Sequence, residues 1–285
     1  KTPAAANIDP QNRDNVYVVD TGTGGIWSIS LTSKAEEMVA SMKPGLDNLA
    51  FDSRGRLFVT SMTDNGIYLV DKQTGAYRTI VEGKLAIPGD LAVTNEGGKE
   101  TVHVADVFSY RTVDGHSGAV ADVLRVHGET HAYPLGLSIG PRHVLLTSWF
   151  SNTVEKVDRK TGKLVATLGD FAAPVDALEA ADGTLYVAEL ASANLVKVSP
   201  DGKTRSTLVK ELRGPAALAQ GPGNLIYVTE IAAGAVTEID VATGERRVVA
   251  DGLAGPEGLH LHPARRLNVA AAGQQAQTLF QQTWI

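Results

Sequence analysis

The chain has 285 residues and a mass of 30.0 kDa, enough for one large domain or two small ones. Its 26 Lys and Arg against 32 Asp and Glu leave a formal charge of −6, which argues against a nucleic-acid binder, because that role needs a basic face. It has no Cys, which excludes disulfide scaffolds, thiolate metal sites and a Cys nucleophile.

The predicted elements are short strands that recur in a fixed order. Each unit opens on a proline at Pro44, Pro88, Pro134, Pro174, Pro215 or Pro256. A second marker closes the next apolar run: Asp20, Ser61, Asp106, Ser148, Glu189, Glu230 and Ala271. Both markers repeat about every 42 residues, so the units fall near 3–43, 44–87, 88–133, 134–173, 174–214, 215–255 and 256–285. Within 174–214 four runs are predicted, at 175–180, 184–188, 194–198 and 204–209. Turns containing Asp, Pro and Gly separate them. The third-to-fourth turn recurs as Asp71…Gly75, Asp158…Gly162 and Asp240…Gly244, where glycine supplies a positive φ. Residues 107–118 read as an insertion, the longest departure from the repeat. The last unit has room for three strands.

Four-stranded units of this length predict an all-β fold, a β-propeller of four-stranded antiparallel blades. Seven second-strand markers favour seven blades, with a six-bladed ring as the alternative. Residues 2–8 can complete the first blade or the last one, not both. No apolar stretch reaches 18 residues, so no membrane span is expected. The Cys-free composition and a first residue other than Met point to a periplasmic or secreted protein, and a monomer is expected.

The phrases "GPAALAQGPGNLIYVTE" (214–230), "PVDALEAADGTLYVAE" (174–189) and "GPEGLHLHP" (255–263) resemble NHL-type propellers and their bacterial relatives. "PEGL" at 256–259 is similar to the gluconolactonase and senescence-marker family. That resemblance implies a divalent metal, Ca²⁺ or Mg²⁺, held in the channel by groups at strand starts. The residue after the repeat's proline is Gly89, Leu135, Val175, Ala216 or Glu257, and only Glu257 matches that family's acidic position. The virginiamycin B lyase family is also a bacterial propeller, and its Pro-His-Gly or Pro-His-Ala phrase does not occur here.

In a propeller the start of each first strand and the end of each second strand share one face. The strand starts carry Asp47, Asp90, Asp176 and Glu257; the second-strand ends carry Asp20, Asp106, Glu189 and Glu230. Like charges gathered at one mouth require compensation, by a cation, by protonation or by loop amides. The metal candidates are accordingly Asp47, Asp90, Asp176 and Glu257. For the second-strand acids the competing role is loop-holding. Phe108, Tyr110, Tyr133, Trp149 and Phe150 fall in loops expected on the same face. With Asp106, Glu189 and Glu230 they form the candidate ligand site, suited to a partly apolar, partly cationic small molecule or peptide. His131 and His260 lie close to the unit prolines and are the acid–base candidates. The first reading is therefore a binding scaffold; the alternative is a metal-dependent hydrolase of lactone or ester substrates.

Overall fold

The computed structural model describes residues 3–30, 32–107, 109–125, 134, 136–253, 255–262, 266–271 and 277–279. Six sheets have four antiparallel strands, each in simple chain order. Blade five is representative, with strands Pro174–Glu179, Leu185–Glu189, Asn194–Val198 and Arg205–Val209. The predicted runs match these within about a residue, because Gly, Pro and Asp fix where the chain turns.

The seven blades favoured by the repeat are corrected to six complete four-stranded blades among the described residues, the count of the alternative reading. The last unit supplies a three-stranded sheet, Pro256–His262, Arg266–Ala271 and Gln277–Leu279. Counting second-strand markers overstates complete blades, because this unit has the marker without a fourth strand among the described residues. Its first strand lies between the first strands of blade six and blade one, so the sheets close into a ring. Residues Pro3–Ile8 pair with Asn15–Asp20 and form the inner strand of blade one.

The core lies between blades. Tyr17 and Val19 of blade one pack with Leu57, Val59 and Tyr68 of blade two. Tyr186, Ala188 and Leu195 of blade five pack with Leu218, Ile226 and Val228 of blade six. Blades two to six are covered on both faces, which explains why second strands are buried without alternation, as at Leu57–Ser61 and Leu185–Glu189. Burying one Leu or Val side chain is worth roughly 1.5–3 kcal/mol. Outer strands are different: Tyr77–Val81 is exposed over its first three residues.

One predicted departure disappears. Ser109–Asp114 is the regular third strand of blade three, not an insertion. Tyr110 and Val113 are buried along it, and Asp114 and Gly118 form the usual third-to-fourth turn, with Gly118 at φ 70°. Polar Ser, Arg and Thr between the apolar positions hid the alternation. The other turn glycines behave as expected, Gly75, Gly162 and Gly244 having φ of 71°, 66° and 77°.

Candidate functional site

Except in blade four, where Gly136–Ile139 pairs in unbroken register, the inner strands slip in register just after their opening residue, in blade three between Pro88 and Leu91. The slip falls between Pro3 and Ala5, Leu46 and Leu49, Pro174 and Asp176, Pro215 and Leu218, and Pro256 and Gly258. Such a bulge re-aims a side chain and takes a main-chain N–H out of the ladder. Two of the freed amides are recovered by a threonine hydroxyl of the paired second strand. Asn48 N donates to Thr60 Oγ1 at 2.9 Å, and Ala217 N donates to Thr229 Oγ1 at 2.8 Å. Thr60 and Thr147 each donate the hydroxyl to a carbonyl of the next blade, Gly89 and Val175 respectively, both at 3.0 Å. These threonines are buried, and through them blade two is joined to blade three and blade four to blade five.

The bulges direct side chains to the ring axis. There a cavity of about 320 Å³ is lined by the inner strands of all seven sheets, with Asn7, Asn48, Asp90, Ser138, Asp176 and Glu257 as its polar side chains. Asn48 of blade two donates to Asp90 Oδ1 of blade three at 2.7 Å. Asp90 Oδ2 accepts the Leu137 amide of blade four at 2.9 Å. Asp176 of blade five accepts the Leu218 amide of blade six at 2.8 Å and its own neighbour Ala177 N at 2.8 Å. The carboxylates thus satisfy edge amides of the next blade, which otherwise face the channel unpaired. Blade four has Gly136 at the equivalent position, where a Cβ would stand 2.4 Å from Thr147 Oγ1 and 2.7 Å from the Val175 carbonyl.

The acids are electrostatically crowded. Burial in the channel wall, then repulsion from Asp176 and Asp47, pushes Asp90 up to about 7 despite the Leu137 hydrogen bond. Burial also pushes Asp176 up to about 7, against the amides of Leu218 and Ala177. Asp47 rises to about 6 through burial and the charge of Glu257. At neutral pH this channel therefore holds carboxyl groups divided between acid and carboxylate, able both to donate and to accept hydrogen bonds.

The structure brings Asp90, Asp176 and Glu257 to the cavity and sets Asp47 within their electrostatic reach. It does not assemble them as a chelating set: among the described residues no three His, Asp or Glu converge on a point that could hold a metal ion. The second-strand acids brace loops. Asp106 accepts the amides of Ala86 and Ile87, at 2.8 and 2.6 Å, and faces Arg111 Nη1 at 3.1 Å. Glu189 accepts Ala172 N and the Ser192 hydroxyl; Glu230 accepts Arg213 N and the Thr237 hydroxyl. Asp20 accepts Gly22 N and Thr23 N in its own turn. Asp106, Glu189 and Glu230 therefore steady the segment entering their own blade's inner strand, and none of them lines the channel cavity.

The aromatic set divides. Tyr110 is 2% exposed and its hydroxyl meets His103 Nδ1 at 2.6 Å, so it belongs to the core between blades three and four rather than to a ligand surface. Trp149 and Phe150 are 46% and 63% exposed, on the turn after Ser148, at the end of the ring where the second strands finish. Their rings stack with centroids 4.6 Å apart. Phe108, Tyr133 and His131 lie outside the described residues. The backbone of His260 pairs with Asn268 in the last sheet, and its side chain lies outside the described residues. Sequence reading missed Asn48, Ser138 and the threonines. Their signal is an offset of one repeat: Asn48 reaches Asp90, and Asp176 reaches Leu218, each 42 residues on.

No known family profile matches the chain, and no curated protein matches it. Solved structures do resemble it. Virginiamycin B lyase from Staphylococcus aureus superposes with a TM-score of 0.78 at 14% identity, covering 95% of this chain and 92% of that one. A streptogramin B lyase gives 0.77 at 18% identity, covering 95% and 90%. Kuenenia stuttgartiensis hydrazine synthase gives 0.81 at 14% identity, covering 98% and 96%. The chain is thus a β-propeller like the virginiamycin B lyases in architecture, and at these identities the likeness is one of fold.

Proposed function

We propose that this propeller, acting as a monomer, binds a small molecule or peptide at the mouth of its central channel, and that the bound group presents an amine or another strong hydrogen-bond donor to Asp90 and Asp176. The observation that carries this reading is the axial cavity in which these carboxyls are crowded and only partly compensated by amides. An ammonium group entering there removes the repulsion and replaces lost hydration with charge-assisted hydrogen bonds. Trp149 and Phe150, exposed on the same face, offer an apolar wall for the remainder of the ligand. A catalytically inactive Staphylococcus aureus virginiamycin B lyase has been solved with quinupristin, and that related ring lends support to ligand binding on such a scaffold. A metal-dependent hydrolase is disfavoured, since the described residues offer no trio of metal ligands.

The test titrates amphipathic primary amines and Lys-containing peptides into the protein while following tryptophan fluorescence and heat. Saturable one-to-one binding is expected for at least one amine, weakened tenfold or more in Asp176→Asn and in Trp149→Ala. Equal affinity in both variants, or no saturable binding across the panel, removes the channel as the site.

A further inference from the structure

The opposite face of the ring holds a second and larger cavity, about 550 Å³, between blades one and two. It is formed by the turn that joins the first two strands of blade two, by the turn joining its last two strands, and by Gln11 of blade one. Its cations are Arg54, Arg56, Lys72 and Arg78, and its one lining carboxylate, Asp71, is occupied with the turn amides of Gln73 and Thr74. Leu69, Val70 and Tyr77 supply apolar surface.

The four cations are not equivalent. Arg56 is fixed from behind by Asp52 at 2.8 Å and by Glu100 of blade three. Lys72 is held by Asp9 and sits over the rings of Tyr17 and Phe51 at 5.9 and 5.3 Å. Arg54 and Arg78 enter no ion pair among the described residues, and both are exposed. Two anchored cations therefore back two guanidinium groups that have no ion-pair partner among the described residues. Guanidinium groups take oxyanions through paired N–H donors, and a cavity of this size accommodates a ligand of a few hundred cubic ångströms with an apolar body.

We infer that this cavity is a binding site for a small organic oxyanion, a phosphate or carboxylate carried on an aromatic or aliphatic body, with Arg54 and Arg78 closing on the anionic group and Tyr77 flanking the apolar part. The site is independent of the channel. Its test is calorimetric titration with phenyl phosphate and benzoate, inorganic phosphate serving as the bare anion. At least one of the two organic anions is expected to saturate a single site more tightly than inorganic phosphate, with affinity falling as salt rises. The double variant Arg54→Gln, Arg78→Gln is expected to bind at least tenfold more weakly with an unchanged melting temperature. Trp149→Ala, at the far mouth, is expected to bind as the parent does. Absence of saturable binding by both organic anions, or parental affinity in the folded double variant, overturns the assignment.

Discussion

Asp176 accepts one amide from its own strand and one from the next blade, yet its carboxyl is pushed up to about 7 because burial outweighs both hydrogen bonds. The unfolded chain titrates this group near 3.8. Between those values the folded protein holds a proton that the unfolded chain has released, so stability is greatest at the acid end and falls as pH rises through about 4 to 7. Asp90 adds an effect of the same sign. Full burial would make the rise from 3.8 to about 7 worth about 4 kcal/mol. Because Asp90 and Asp176 are only partly buried, a loss on the order of 2 kcal/mol per group is the expectation. Urea unfolding at pH 5 and pH 8 measures it directly, and Asp176→Asn is expected to remove its share of the pH slope. An unaltered slope in both Asp176→Asn and Asp90→Asn contradicts this electrostatic account. The same residues show the limit of reading acids as a class: Asp106, Glu189 and Glu230 spend their oxygens on loop amides and hydroxyls, whereas Asp90 and Asp176 stand at bulges that turn them inward.

Among the elements, the third-to-fourth turns are alike in sequence and in φ but unlike in surroundings. A Cβ on Gly75 would stand 2.2 Å from the Val39 carbonyl of blade one, whereas on Gly162 the nearest atom is Val123 Cγ1 at 3.6 Å. Both residues sit at positive φ, which costs a side chain about 1 kcal/mol. Gly162→Ala therefore carries the conformational cost alone, and Gly75→Ala adds a clash with backbone that must shift. Thermal unfolding should show Gly75→Ala the more destabilising by at least about 1 kcal/mol. Equal losses would mean that the blade-one strand yields freely. The comparison is informative because both turns were equally legible as Asp…Thr-Gly phrases; their difference comes from how closely the neighbouring blade approaches.

At the scale of the whole molecule, closure rests on the first strand. Pro3–Ile8 completes blade one, and it lies beside the inner strands of both blade two and the last sheet. Removing residues 1–8 strips blade one of its channel-side strand and exposes Val16, Val18 and Val19, now 5% exposed or less. Such a truncated protein is expected to lose cooperative unfolding, seen as a broadened calorimetric transition with dye-accessible apolar surface. A sharp parental transition would show that the ring closes without this strand. Closure also fixes the sites: the axial cavity needs every inner strand, and the basic cavity needs two adjacent blades.

The sequence alone determined the strand phrases, their period, the antiparallel blade and the positive-φ turns, because these follow from local alternation and from Gly, Pro and Asp. It also marked Asp90, Asp176 and Glu257 as strand-start acids. Tertiary structure decided which groups meet. It made Tyr110 a core residue, turned 109–114 into an ordinary strand, and gathered Arg54, Arg56, Lys72 and Arg78 around one cavity. The physical reason is that these outcomes depend on packing between blades and on bulge geometry, which join residues a full repeat apart and leave no trace in any single strand.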